Sequence, residues 1–106
     1  MSIGDAKKIE SRFKGRGIMH GQELLVDWRT AIELIEACRG LGVGILGLDF
    51  YRKSDIGLNE IDGGGADFSE FFRFPNPNQV SIAAAFRLLS DGLPDKADYA
   101  SFVLKE

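Results

Sequence analysis

Few side chains in this sequence are suited to chemistry: a single histidine, His20, a single thiol, Cys38, and sixteen carboxylates. Nucleophilic catalysis needs a nucleophile, a base and a group that orients the base, which is usually histidine. His20 and Cys38 are formally a Cys–His pair. Cys38, however, falls on the apolar stripe of a helix, and the pattern favours a buried structural cysteine and an exposed loop histidine. One Cys and one His are too few for a structural zinc site. Asp55-Ile56-Gly57-Leu58-Asn59 lacks the alternating oxygen ligands and placed glycine of a calcium loop. Gly40-Leu41-Gly42-Val43-Gly44 is glycine-rich, but it follows a helix and opens a strand, the reverse of a dinucleotide fingerprint. Asp49 with Glu60 or Asp67 would make a carboxylate pair, one of many that sixteen acids allow. The expectation is a chain without catalytic residues, metal or cofactor.

Charge and aromatic content point instead to binding. Lys7, Lys8, Arg12, Lys14 and Arg16 crowd the first sixteen residues against Asp5 and Glu10. Between Ser54 and Phe72 stand Asp55, Glu60, Asp62, Asp67 and Glu70, with no base among them. Segregated charge governs steering and the choice of partner. The acidic stretch disfavours nucleic acid and favours a basic protein; the aromatics at Phe50, Tyr51, Phe68, Phe71, Phe72 and Phe74 read mostly as core, with Phe68-Ser69-Glu70-Phe71-Phe72 as the segment where rings within an acidic rim would anchor a basic partner. Asp49 interrupts an apolar strand, where an unpaired charge is costly. Either it lies on an exposed face, or it meets Arg52, Lys53 or an external group.

The elements that must position these residues are those of one small α+β domain spanning residues 1–106. Hydrophobic residues make up 44% and charged residues 27%, a globular balance. No apolar run is long enough to span a bilayer, and the first residues lack a secretory h-region. With its lone cysteine the chain suits a reducing cytoplasm. Ile9 and Phe13 share one face of a short helix over Asp5–Phe13, while Ile18–Leu25 is ambiguous, with loop as one reading. The clearest helix runs from Trp28 to Arg39, capped by Asp27, with Trp28, Ala31, Ile32, Ile35 and Cys38 as its stripe and Gly40 or Gly42 as its stop. Val43–Tyr51 is the best strand, followed by a turn over Arg52–Gly57 and a returning strand over Leu58–Ile61. Phe68–Phe74 is strand or irregular. Beyond the Pro75–Asn78 loop, Gln79–Ser90 reads as a helix capped by Asn78 or Ser81, and Tyr99–Lys105 as a closing strand. The architecture expected is a mostly antiparallel sheet of three to four strands, with two to three helices on one face.

The run Trp28…Ala31-Ile32…Leu41-Gly42-Val43…Ile45-Leu46-Gly47-Leu48-Asp49-Phe50-Tyr51 resembles the Immunity protein 40 family of bacterial polymorphic-toxin systems. It covers about a quarter of the chain, and its sharpest part is the segment Gly47 to Tyr51. The resemblance implies a protein that binds a cognate toxin domain and occludes its active site or substrate route. Many such toxins are nucleases with basic grooves, which an acidic surface can occupy in place of phosphate. Asp55, Glu60, Asp62, Asp67 and Glu70 would then supply the charge, and Tyr51, Phe68 and Phe71 the anchors. The alternative is an adaptor or small-molecule-binding regulatory domain with no toxin partner.

Overall fold

The computed structural model describes residues 4–61 and 64–105. Three helices, α1 (Asp5–Phe13), α2 (Trp28–Leu41) and α3 (Pro77–Leu89), accompany six strands. The strands are β1 (Ile18–His20), β2 (Glu23–Val26), β3 (Gly44–Ser54), β4 (Gly57–Glu60), β5 (Ala66–Asp67) and β6 (Tyr99–Lys105). They form one antiparallel sheet in the order β1-β2-β6-β3-β4, with β5 pairing the edge of β3 ahead of β4. The α+β class is as the sequence implies; the sheet has more strands than the three to four expected.

Two of the extra strands come from Ile18–Leu25, which does not form a loop. His20 pairs Glu23 across a two-residue turn whose first residue, Gly21, has φ +64°, a conformation that glycine adopts without penalty. The expected turn over Arg52–Gly57 also shrinks. Arg52 and Lys53 remain in β3 opposite Asn59 and Leu58, so only Asp55 and Ile56 form the bend. Asp98 extends the ladder there, its carboxylate accepting from the Lys53 N–H at 2.8 Å. Ser69–Arg73, at the centre of the phenylalanine-rich run, is a 3-10 turn.

Helix α2 begins as anticipated. The Asp27 carboxylate accepts from the Thr30 N–H at 2.8 Å, and that bond, the first cause, holds its pKa below the usual carboxylate range. The helix ends at Gly42, where φ is +70° and the N–H returns to the Cys38 carbonyl. Its buried face consists of Thr30, Ala31, Leu34, Ile35 and Cys38. Trp28 is 40% exposed instead, with its indole N–H donating to the Leu89 carbonyl at the end of α3.

Helix α3 starts two residues earlier than expected, with Pro77 in its first turn, and neither Asn78 nor Ser81 caps it. Both fasten the helix to the start of β3. The Asn78 amide donates to the Gly42 carbonyl at 2.7 Å. The fully buried Ser81 hydroxyl accepts from the Ile45 N–H and donates to the Asn78 carbonyl, each at 2.9 Å. One buried hydroxyl therefore satisfies two main-chain groups.

One core joins the helices to one face of the sheet. Ile9 and Phe13 of α1, Leu34, Ile35 and Cys38 of α2, and Ile82, Ala85 and Leu89 of α3 meet Ile45, Leu48, Phe50, Val26 and Ala100. Strand β3 carries a bulge at Leu46: Ile45 pairs Leu104, and Gly47 pairs Val103. The extra residue shifts the alternation, so Ile45 points to the same side as Leu48 and Phe50. Gly47, Asp49 and Tyr51 turn to the other side.

Ser81→Ala should lower stability by about 1–3 kcal/mol, because the buried Ile45 N–H loses its acceptor. Urea unfolding of the variant against the parent measures this, and an unchanged midpoint would contradict the role given to the hydroxyl.

Candidate functional site

Strand alternation defines a second sheet face, away from the helix core. Gly47, Asp49 and Tyr51 of β3 lie beside Val103, Ser101 and Tyr99 of β6, and Leu25 of β2 lies beside Ser101. Asp67 of β5 stands opposite Gly47, and Glu60 of β4 opposite Tyr51. Directly paired residues project to the same face, so Asp67 and Glu60, both on the β3 edge away from β6, share this face with Asp49 between their levels. Gly47 and Gly65 make this close fit possible. A Cβ at Gly47 would sit 2.6 Å from the Ala66 carbonyl, and one at Gly65 would sit 2.7 Å from an Asp49 carboxylate oxygen.

Tyr51 is the centre of this face. Its side chain passes over β6, and its hydroxyl donates to the Glu23 carboxylate on β2 at 2.5 Å. The ring centroid of His20, on β1, lies 5.7 Å from that of Tyr51. In a flat sheet, strands three places apart would be separated by about 14 Å. The ring contact therefore requires the sheet to curl toward this side, and it accounts for how Leu25, Tyr51 and Ser101 become buried without belonging to the helix core.

The electrostatics follow from these neighbours. The hydrogen bond to Glu23 raises the Tyr51 phenol above its ordinary pKa, assisted by burial and by the charges of Glu23, Glu60 and Asp49. Tyr51 is thus a fixed neutral donor at physiological pH. Asp67 moves the opposite way: its carboxylate accepts from the Ser69 N–H at 2.9 Å, and this bond lowers its pKa. A shallow depression of about 210 Å³ lies between Gly47, Asp49, Asp67 and Val103. By strand alternation, Lys53 and Lys105 fall at the two ends of this face.

Of the residues singled out from sequence, Tyr51, Glu60 and Asp67 come together here. Asp55 sits at the β3–β4 bend and Glu70 in the 3-10 turn beside α3, away from this group. Asp62 lies outside the described residues. Phe68 is not an exposed anchor: it is buried in the helix-side core, where its ring stacks on half-buried Phe71 at 5.8 Å. Tyr51 is itself buried, so it presents neighbouring groups and does not project as an anchor.

Glu23, His20, Tyr99 and Ser101 were missed. The alternation in Tyr99–Lys105 could have flagged Tyr99 and Ser101. Nothing local marks His20 or Glu23, because the curl that brings β1 to β3 is a tertiary effect. Asp49 has a half-buried place on the helix-free face. Cys38 faces the helix core, where burial pushes its thiol up to about 12, and His20 is on the other side of the sheet. No protein-family model, curated protein or solved structure matches this chain.

The Tyr51 shift has a pH signature. A phenol raised in the fold contributes stability that is complete below its unfolded pKa of about 10 and is lost as pH climbs toward the folded value. Thermal unfolding between pH 8 and 11.5 should show a decline above about pH 10, and the Tyr51→Phe variant should decline less. Parallel curves would contradict the assignment.

Proposed function

We propose that this chain is a protein-binding module that engages a basic protein through its helix-free sheet face. The observation that carries the reading is the gathering of Glu23, Asp49 and Glu60 around buried Tyr51, with Asp67 farther along the same face opposite Gly47. Carboxylates spaced across adjacent strands give a directional negative field, which steers a basic partner and fixes its orientation. Half-buried Tyr99 and exposed Val103 supply apolar area between them. Of the segment that carries the resemblance, Gly47, Asp49 and Tyr51 lie on this face, and the resemblance makes a toxin domain the favoured partner, neutralised by occlusion of a basic substrate groove. In this role the acids take the place of substrate phosphate, and the fold needs no catalytic group of its own.

The test separates acids on the face from acids off it. Glu60→Lys with Asp67→Asn removes charge from the face while leaving an acceptor for the Ser69 N–H. Asp55→Lys with Glu70→Lys changes more charge elsewhere. Co-purification from the native host, followed by binding measurements on the recovered protein, should show weaker association and a flatter salt dependence for the first pair alone. Equal effects from both pairs, or recovery of an acidic partner, would contradict the proposal.

A further inference from the structure

The outer side of the α2–α3 layer is a second surface, across the molecule from the curled face and independent of the reading above. Among the described residues ten large apolar side chains are more than a third exposed. Six of them, Trp28, Leu41, Phe74, Val80, Phe86 and Leu88, stand on α2, on α3 or just ahead of α3. A surface helix ordinarily turns charge toward water. Helix α3 does not: Ser81, Ile82, Ala85 and Leu89 are buried, and Arg87 is the only charged residue in the helix. Between the two helices lies a depression of about 330 Å³ lined by Trp28, Ile32 and Phe86.

The extent of this patch fits one side of a dimer. Six large side chains, each left between a third and two-thirds open, amount to on the order of 500 Å² of apolar surface. A standard interface takes about 800 Å² from each partner, a little over half of it apolar.

Charge decides what covers it. Along the α2 side, Arg16, Arg29 and Arg39 stand among Asp27, Glu33 and Glu36, with Arg16 bonded to Glu33 and Arg39 to Glu36. The rim is balanced, three bases to three acids. A partner strongly charged in either sign would meet like charge along half of it. The same rim turned about a two-fold axis can set each sign against the other.

We propose that a second copy of this chain covers this face, with α3 packed antiparallel on its counterpart across a two-fold axis near Ala83. Ala83 and Ala84 are small enough for the helices to approach to about 8–10 Å. In this arrangement the stem of each Arg87 covers Val80 of the other copy. The two guanidinium groups then lie on opposite sides of the axis, about 12 Å apart along it, where salt screens their repulsion. The curled face stays open on both copies.

Sedimentation equilibrium of the intact chain, from about 1 μM to about 1 mM, should show monomer passing to dimer and no larger species, because a two-fold contact closes on itself. The Ala83→Arg variant puts two like charges at the axis. Ala83 is exposed and arginine is a good helix former, so the unfolding midpoint of dilute protein should be kept while the dissociation constant rises at least tenfold. The Ala83→Cys variant should form a disulfide-linked dimer on mild oxidation, at least tenfold faster than Ile56→Cys at the exposed β3–β4 bend. Val103→Arg, on the curled face, should leave association unchanged. A chain that stays monomeric throughout, whether or not another protein protects α3 in the host, would overturn the proposal. So would a dimer that survives Ala83→Arg, equal cross-linking at residues 83 and 56, or loss of the dimer in Val103→Arg.

Discussion

The pairing of β3 with β6, together with the one-residue bulge at Leu46, is the constraint on which the other features depend. A strand has a period of two, so its register decides which residues enter the core. Without the bulge, Ile45 would share a face with Gly47, Asp49 and Tyr51. With it, Ile45, Leu48 and Phe50 join Leu104, Phe102 and Ala100 on the helix side. The price is a local irregularity at Leu46, and the fold anchors that end of the strand by the Ser81 hydroxyl and the Asn78 amide. The same shift delivers Asp49 and Tyr51 to the opposite face. A packing decision at one residue thus places the polar groups that the other side presents.

The two faces of the sheet are consequently built by different physics. The helix side is held by apolar burial, to which Cys38, Phe13 and Phe68 contribute as ordinary core residues. The curled side is held by one charge-assisted hydrogen bond, from Tyr51 to Glu23, and by the ring contact with His20. Such bonds are stronger than neutral ones, and the burial that strengthens this one also makes it costly to leave unmade. Tyr51 therefore fixes the Glu23 carboxylate across β6, beside the charges of Asp49 and Glu60.

The long elements were legible in the sequence because their periodicity extends over enough residues to be read. Asp27 and Gly42 mark the ends of α2 by local chemistry, and the apolar runs of β3 and β6 lie close to their expected bounds. Short elements were not legible. Three residues of β1 and four of β2 show no period, and Gly21-Gln22 is a weak turn signal. The phenylalanines of residues 68–74 left strand or irregular chain, and core or anchor, open; Phe68 is fixed in the core at the start of a 3-10 turn, where the Asp67 carboxylate accepts from the Ser69 N–H. The acids were found by composition, but their grouping was not. Glu60 and Asp67 share a face with Asp49 only because β4 and β5 pair β3 in particular registers. Pairing of that kind is non-local and leaves no trace in either segment alone.

The central claim is that the curled face is the surface this protein offers to a basic partner. Its most direct test is to titrate the recovered partner into isotopically labelled protein and follow the backbone amide resonances. The account predicts that the largest shifts fall on Asp49, Tyr51, Glu60, Asp67, Tyr99 and Ser101. Shifts concentrated instead on the outer faces of α2 and α3, around Trp28 and Phe86, would contradict it.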